Sequence, residues 1–362
     1  MPIALALAVL VLAAFWLLVF YDNGHAGFAH RPAAPRADEQ RAEGSLRTVH
    51  FPACDGARLE GWLFLPHAAA PPPLVLMAPG LTGTKEGHLE PFAWRFARAG
   101  LAVLLFDFRS FGGSSGEPRH WVDPARHGED YASALAFVRR DLGPSGRVDA
   151  ERVALWGSSF SGGTALVAAA NDPCVRAVVA QCPFLSTSES QQPGPRQMVW
   201  FVFWTVLDSL RDRLGLRPIY LPAFGRPGEL VFAKSAENPP ALGFDPAAGH
   251  AFWGRMPRDL RGGWENKLLA RVFATLDRAP ALDHVERIGC PVYLIAGERD
   301  DMVPSALVRN AYARLRSPAC NLSVHECGHF DLYLDDVFER NVELQASFLV
   351  GALEKDGRPS AA

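Results

Sequence analysis

The sequence predicts an α/β protein: a mostly parallel central sheet with helices on both faces and a helical cap insertion. Three observations predict it. Short apolar runs alternate with segments of helical periodicity, as strands covered on both faces require. One of these runs, Val153 to Trp156, ends in the small-residue turn Gly157-Ser158-Ser159-Phe160-Ser161-Gly162-Gly163 and leads at once into an Ala-rich helical segment. From Ser186 to about Arg287 the alternation stops, and Pro and Gly become frequent, as in a long functional insertion.

The first segment, Ile3 to Tyr21, is almost wholly apolar and meets the length needed to span a bilayer. Trp16 and Tyr21 suit the interface. The expectation is a single-pass anchor and a membrane location. No Lys or Arg precedes the run, while Arg31, Arg36 and Arg41 follow it, which places the body on the cytoplasmic side. The alternative is a signal segment cleaved near Ala29, followed by export. The expected organisation is an anchor or signal over 1–22, a linker over 23–44, a core of 45–185 and 288–356, and a cap over 186–287.

Within the core, Leu46 to Phe51 and Arg58 to Leu65 read as a hairpin around Cys54-Asp55-Gly56. Leu74 to Ala78 is a buried strand. Leu89 to Ala99 is a helix stopped by Gly100, and Leu101 to Phe108 is a strand. Tyr131, Leu135, Val138 and Leu142 recur at helical spacing and set a helix over about 128–142. The serine turn and its helix follow, then the strand Val175 to Gln181. In the insertion, helical pieces are expected at about Gln197 to Leu214 and Trp264 to Asp277. The apolar run Met198 to Leu207 would pack on the core, line an apolar pocket or touch a bilayer. The alternation resumes with a strand at Pro291 to Ala296, a helix at Ser305 to Arg316, a strand at Asn321 to Cys327 and a final helix at about Asp336 to Lys355.

Composition narrows the function. The chain has 362 residues, 49% of them apolar, enough for a large core. A net charge of -3 and the lack of a long basic stripe argue against nucleic acid as a partner. The six cysteines include no Cys-x-x-Cys pair, so a metal knuckle is not expected. Cys174, Cys182 and Cys290 lie in or beside apolar runs and read as core thiols. Neither a phosphate loop nor a dinucleotide fingerprint is present, and no cofactor is expected.

The turn at Ser159 fits the nucleophile-elbow pattern, in which small neighbours let strand and helix approach while a serine is held on a strained bend. As a plain structural feature it would only cap the helix. A serine nucleophile also needs a base, an orienting acid and oxyanion donors, and in an open parallel sheet these belong at the carboxyl ends of strands. Gly297-Glu298-Arg299-Asp300-Asp301 follows one late strand and Gly328-His329 follows the next, so acid and histidine fall in the required order. Asp300 is preferred over Asp301 because it lies on the first turn beyond the strand. His325 lies inside its strand and reads as a satisfied sheet residue. The oxyanion donors are the backbone N–H groups of Phe160 and Leu81, since Pro79 has none and Gly80 permits close approach.

These stretches resemble the α/β-hydrolase superfamily. The similarity is greatest to the branch of X-Pro dipeptidyl-peptidase-like, dienelactone-hydrolase-like and polyketide-transferase-like proteins. It rests on Ala78-Pro79-Gly80-Leu81-Thr82-Gly83-Thr84-Lys85, Phe106-Asp107-Phe108-Arg109-Ser110-Phe111-Gly112-Gly113-Ser114, the Leu155–Gly163 elbow and Gly297-Glu298-Arg299-Asp300. Pro79 stands where many relatives have His, and Ser161 replaces the second elbow glycine. The resemblance implies that Asp107 and Arg109 pair to brace their loop.

The expected activity is that of a serine hydrolase. It would cleave an ester or thioester with an apolar acyl group through an acyl-enzyme on Ser159, His329 and Asp300. The alternatives are an acyltransferase using the same acyl-enzyme and a peptidase; a non-catalytic binding protein is disfavoured by the complete set of three groups. The partner expected besides the membrane is a small-molecule acyl substrate.

Overall fold

The computed structural model describes residues 16, 18–21, 38–187, 193–237, 252, 264–276, 278–317 and 319–354. The main strands are β1 (Glu39–Arg41), β2 (Gly44–Pro52), β3 (Arg58–Pro66), β4 (Pro73–Ala78), β5 (Ala102–Phe106), β6 (Asp149–Ser158) and β7 (Val175–Gln181). Four two-residue strands follow: β8 (Tyr220–Leu221), β9 (Phe224–Gly225), β10 (Ala233–Lys234) and β11 (Leu268–Leu269). The last two long strands are β12 (Val292–Gly297) and β13 (Cys320–His325). Nine of them form one sheet in the order β1-β2-β3-β5-β4-β6-β7-β12-β13. The β1–β2, β2–β3 and β3–β5 pairs are antiparallel, and every later pair is parallel.

The helices are α1 (Glu90–Arg98), α2 (Pro124–Phe137), α3 (Phe160–Asn171), α4 (Pro195–Arg213), α5 (Ser305–Arg314) and α6 (Asp335–Ala352). Leu74, Leu76 and Leu104 belong to one apolar cluster, whereas Val75, Met77 and Leu105 belong to another. Alternate residues of a strand point to opposite faces, so these are the sheet's two faces, each with its own core. The first packs against α2 and α3 through residues such as Tyr131 and Leu166, the second against α1 and α6 through Phe92 and Leu349. Continuous apolar strands follow directly from this double coverage. Asp123 caps α2 by accepting the N–H of Ala125 at 3.1 Å, and Pro124 occupies the first turn, where its missing N–H costs nothing.

Several expectations change. β1 lies within the stretch read as linker and pairs with β2. Trp264 to Asp277 is not a helix: it supplies β11, antiparallel to β8, and a 3₁₀ turn over Ala270–Ala274. Leu268 to Val272 are all buried, so helical periodicity has no polar face to mark it. Asn266 also bonds both backbone groups of Phe224, at 2.8 and 2.9 Å, which favours an extended chain there. Residue 277 lies outside the described residues. Cys174 is exposed in the turn before β7, whereas Cys182 is buried and Cys290 only partly so.

The single-pass anchor, the membrane as a partner and the membrane location are overturned: among the described residues no helix is long and apolar enough to cross a membrane. Residues 1–15, 17 and 22–37, including the cleavage alternative near Ala29, lie outside the described residues. The described end of the apolar stretch meets protein. Tyr21 packs on Trp204 with ring centroids 4.9 Å apart, and Arg211 Nη1 donates to the Tyr21 carbonyl at 2.8 Å.

Asp107 and Arg109 brace the sheet edge, but not as a pair. Fully buried Lys85 reaches Asp107 at 2.5 Å, Glu60 at 2.9 Å and Glu86 at 3.1 Å, tying the loop after β4 to β3 and to the end of β5. A Cβ on Gly113 would lie 2.0 Å from a Glu60 carboxylate oxygen, so any larger residue there would push that carboxylate off its place beside Lys85. Arg109 instead bonds Asp130 at 2.6 Å and Asp55 at 2.8 Å, locking its loop to α2 and to the hairpin turn.

His127 on α2 is buried and stacked on Phe108 at 4.0 Å. Burial, aided by Arg109 and Arg126, pushes its imidazole down to about 3. The unfolded chain takes up a proton near pH 6.5 that the folded chain refuses until about pH 3. Stability is therefore expected to fall as pH drops through that window, by on the order of a few kcal/mol. His127→Phe is expected to flatten this limb, read as denaturant midpoints across pH; an unchanged slope would refute the assignment.

Candidate active site

β6 carries the apolar run that buries it in the middle of the sheet, and its end must turn sharply into α3. Ser159 makes that turn at φ 57° and ψ -120°, a left-handed conformation that costs energy for a non-glycine residue. Surrounding contacts hold it. Its N–H donates to the Gln181 carbonyl at 2.8 Å, and its carbonyl accepts the N–H of Phe184 at 2.8 Å. A Cβ on Gly157 would stand 2.2 Å from the Ser161 carbonyl oxygen, and one on Gly163 would stand 2.0 Å from the Phe184 carbonyl oxygen. Both therefore have to be glycine for strand, helix and following loop to close together. Ser161, the departure from the usual glycine, has a structural task. Its hydroxyl accepts the Ser158 N–H at 2.8 Å and lies 2.8 Å from the Ala78 carbonyl, joining the elbow to the end of β4.

Asp300 and His329 emerge from the ends of β12 and β13, and the structure brings them together: His329 Nδ1 lies 2.6 Å from Asp300 Oδ2. The other carboxylate oxygen accepts the N–H groups of Met302 at 2.9 Å and Val303 at 2.8 Å. Both residues are almost completely buried, so the carboxylate is fixed by a tight turn as well as by the ring. Asp301 points elsewhere. It accepts Ser235 Oγ at 2.7 Å and the Ala236 N–H at 2.6 Å, tying the insertion to the core.

The oxyanion candidates border the same space. Leu81, Ser159 and Phe160 all line one cavity. Phe160 opens α3, where the first N–H groups of a helix have no intrahelical acceptor. Gly80 comes so near the elbow that a Cβ there would be 3.3 Å from the Ser159 Cβ. That cavity holds about 650 Å³, and Phe184, Phe201, Phe232 and Phe273 give it apolar walls. Phe201 of α4 stacks on Phe273 at 3.8 Å. The apolar run in α4 is thus divided by helical periodicity: Phe201 is buried in the cavity wall and Met198 borders the cavity at its exposed rim, whereas Val199, Val202 and Val206 face away and are exposed. Ser159 and Leu81 also border a small cleft of about 40 Å³, together with Phe252, Trp264, Phe330 and Tyr333.

Sequence reasoning missed three neighbours. Tyr333, four residues beyond His329, donates to Ser158 Oγ at 2.5 Å. Gln181 Nε2 donates to the same oxygen at 3.2 Å. Cys182 Sγ lies within 4.8 Å of donor atoms of Asp300 and His329. The three have the donor types of a metal site, but both Asp300 oxygens are already engaged by His329 and by backbone N–H groups, which suits a hydrogen-bonded acid better. Burial, reinforced by the Asp300 carboxylate, pushes the Cys182 thiol well above its usual range and keeps it protonated. Gln181 ends a strand and Cys182 follows it, so a signal existed in strand-end position, but no motif marks it. His325 is not the satisfied sheet residue expected: its Nε2 is buried with no hydrogen-bond partner among the described residues.

A nine-stranded sheet with an elbow serine, and with an acid–histidine pair at later strand ends, defines the α/β-hydrolase class. The family model described as the alpha/beta hydrolase family matches residues 75–342, and the chain belongs to that family. Among relatives, it is 31% identical to the quorum-quenching protein AidA of Acinetobacter baumannii over 303 residues, 83% of this chain and 93% of that protein. It is 28% identical to the thiohydrolase aneE of Aspergillus aculeatus over 315 residues, 86% of this chain and 95% of that protein. The crystal structure of the α/β hydrolase GrgF from a Penicillium species matches with a TM-score of 0.70 at 27% identity, covering 85% of this chain and 99% of that one. The chain is accordingly an esterase- or thioesterase-like enzyme.

Proposed function

We propose that the chain is a serine hydrolase that cleaves an ester or thioester through an acyl-enzyme on Ser159. His329 takes the Ser159 proton and returns it to the leaving group, while Asp300 holds the imidazole tautomer and stabilises its charged form. The Phe160 and Leu81 N–H groups bind the oxyanion, a contribution of about 3–4 kcal/mol per donor in comparable sites. The observation that carries the substrate class is the cavity of about 650 Å³ with five phenylalanines in its wall beside Ser159. A pocket of that size and lining buries an apolar group of drug-like dimensions. The similarity to a protein named thiohydrolase supports a thioester. An acyltransferase differs only in the nucleophile that resolves the acyl-enzyme, and the similarity to proteins named polyketide transferase, such as that of Aspergillus fumigatus (36% identical over 180 residues, 50% of this chain), keeps it as the second reading.

A series of acyl thioesters and esters of increasing chain length tests the reading. kcat/KM is expected to climb with each methylene, by about 0.8 kcal/mol of binding per buried group, until the cavity is full. Activity confined to short, water-soluble esters would defeat the assignment of the cavity. Product analysis with added alcohols and amines separates hydrolysis from transfer.

A further inference from the structure

Beneath the nucleophile lies a buried polar ladder that the mechanism above does not use. From α6, Gln345 accepts the Trp156 indole N–H at 2.6 Å and donates to Asn341 at 2.9 Å and to Gln181 at 3.0 Å. Asn341 donates to the same Gln181 oxygen at 2.6 Å. Gln181 then donates to Ser158 Oγ, where the Tyr333 hydroxyl also arrives. Trp156, Ser158, Gln181, Asn341 and Gln345 are all essentially inaccessible to water. Burial pushes the Tyr333 hydroxyl well above the ordinary phenol range, so it stays a neutral donor. Its position in the chain gives it leverage. The turn that carries His329 is closed by Asp331 accepting the Gly328 N–H at 2.7 Å, and Tyr333 ends that turn on the elbow itself.

We propose that Tyr333 is a positioning residue, coupling the His329 turn to the Ser159 elbow through its hydrogen bond to Ser158, with Gln181 and α6 as the fixed anchor. The proposal rests on the Ser159 reading for its catalytic consequence, but not for the coupling itself. Ser158 adjoins a residue held at a strained φ, and its side chain is where two donors converge. Removing the tyrosine donor frees the His329 turn to shift against the serine. A small misplacement of a base against its nucleophile is enough to cost an order of magnitude or more in rate.

The test compares Tyr333→Phe, Ser158→Ala and the double variant with wild type. Tyr312→Phe, which removes a hydroxyl bonded to the Cys320 carbonyl far from the elbow, is the control. kcat per active site, titrated with a fluorophosphonate, is expected to fall about tenfold or more in Tyr333→Phe with KM within about twofold. Ser158→Ala is expected to fall equally, and the double variant no further, as for two halves of one contact. Independently of turnover, amide exchange at Ser159 and across Gly328–Tyr333 is expected to quicken about tenfold in Tyr333→Phe while β4 is unchanged. Additive losses, kcat within about twofold of wild type, or exchange that is unchanged or raised throughout the molecule would each overturn the coupling. If wild type neither labels nor turns over while exchange responds as expected, the catalytic reading fails and the coupling stands.

Discussion

Ser159→Ala and His329→Ala are each expected to abolish labelling by a fluorophosphonate and to lower kcat by about 10⁴-fold or more. The two are expected to be non-additive, because nucleophile and base act as one unit: the double variant falls no further than either single one. Folding is expected to survive Ser159→Ala. The strained φ belongs to the backbone, and the elbow is held by the Gln181 carbonyl and the Phe184 N–H rather than by the serine hydroxyl. Replacing Ser159 by glycine would relieve that strain and is expected to give an equally inactive but more stable protein. A folded wild type that does not label, or a Ser159→Ala protein that still labels at the same rate, would refute the nucleophile assignment.

The second large effect separates two adjacent carboxylates. Asp300→Asn is expected to lower kcat by about 10⁴-fold, because an amide in that place favours the wrong imidazole tautomer and supplies no charge to the protonated ring. Asp301→Asn is expected to leave kcat within a few-fold. Asp301 meets Ser235 and Ala236 of the insertion and also lines the cavity proposed to take the acyl group, so its loss is expected in KM for long acyl groups. Steady-state kinetics on both variants decide the matter, and the opposite pattern would exchange the two roles. Thermal unfolding should register Asp300→Asn as well, since its carboxylate caps two N–H groups in a tight turn.

Both tests concern residues that could be read from the chain. The elbow was legible because its chemistry is local: glycine is forced wherever a Cβ would strike backbone, as at Gly157 and Gly163. The acid and the histidine were legible because strand ends in a parallel sheet all open on one edge, so chain order alone places them. The fold class followed from strands buried on both faces, which leave uninterrupted apolar runs. What depends on partners distant in sequence was not legible. Asp107 and Arg109 sit two residues apart and look like a pair, but Lys85 takes one and Asp130 the other. Within the Trp264 to Asp277 segment, Leu268 to Val272 are buried without a break, and without a polar face no period distinguishes helix from strand there. The apolar stretch ending at Tyr21 has the composition of a membrane span, but its described end meets Trp204 and Arg211 of α4 instead.

By itself, then, the sequence determined the sheet, the elbow turn and the placing of Ser159, Asp300 and His329 at successive strand ends, because each is written in local sterics and strand periodicity. Only the tertiary structure decided which aspartate meets His329, which residues wall the cavity beside Ser159, and that Tyr333 and Gln181 converge on Ser158. Those contacts join residues as much as 175 positions apart, and no local pattern encodes a hydrogen bond closed by the packing of a whole sheet.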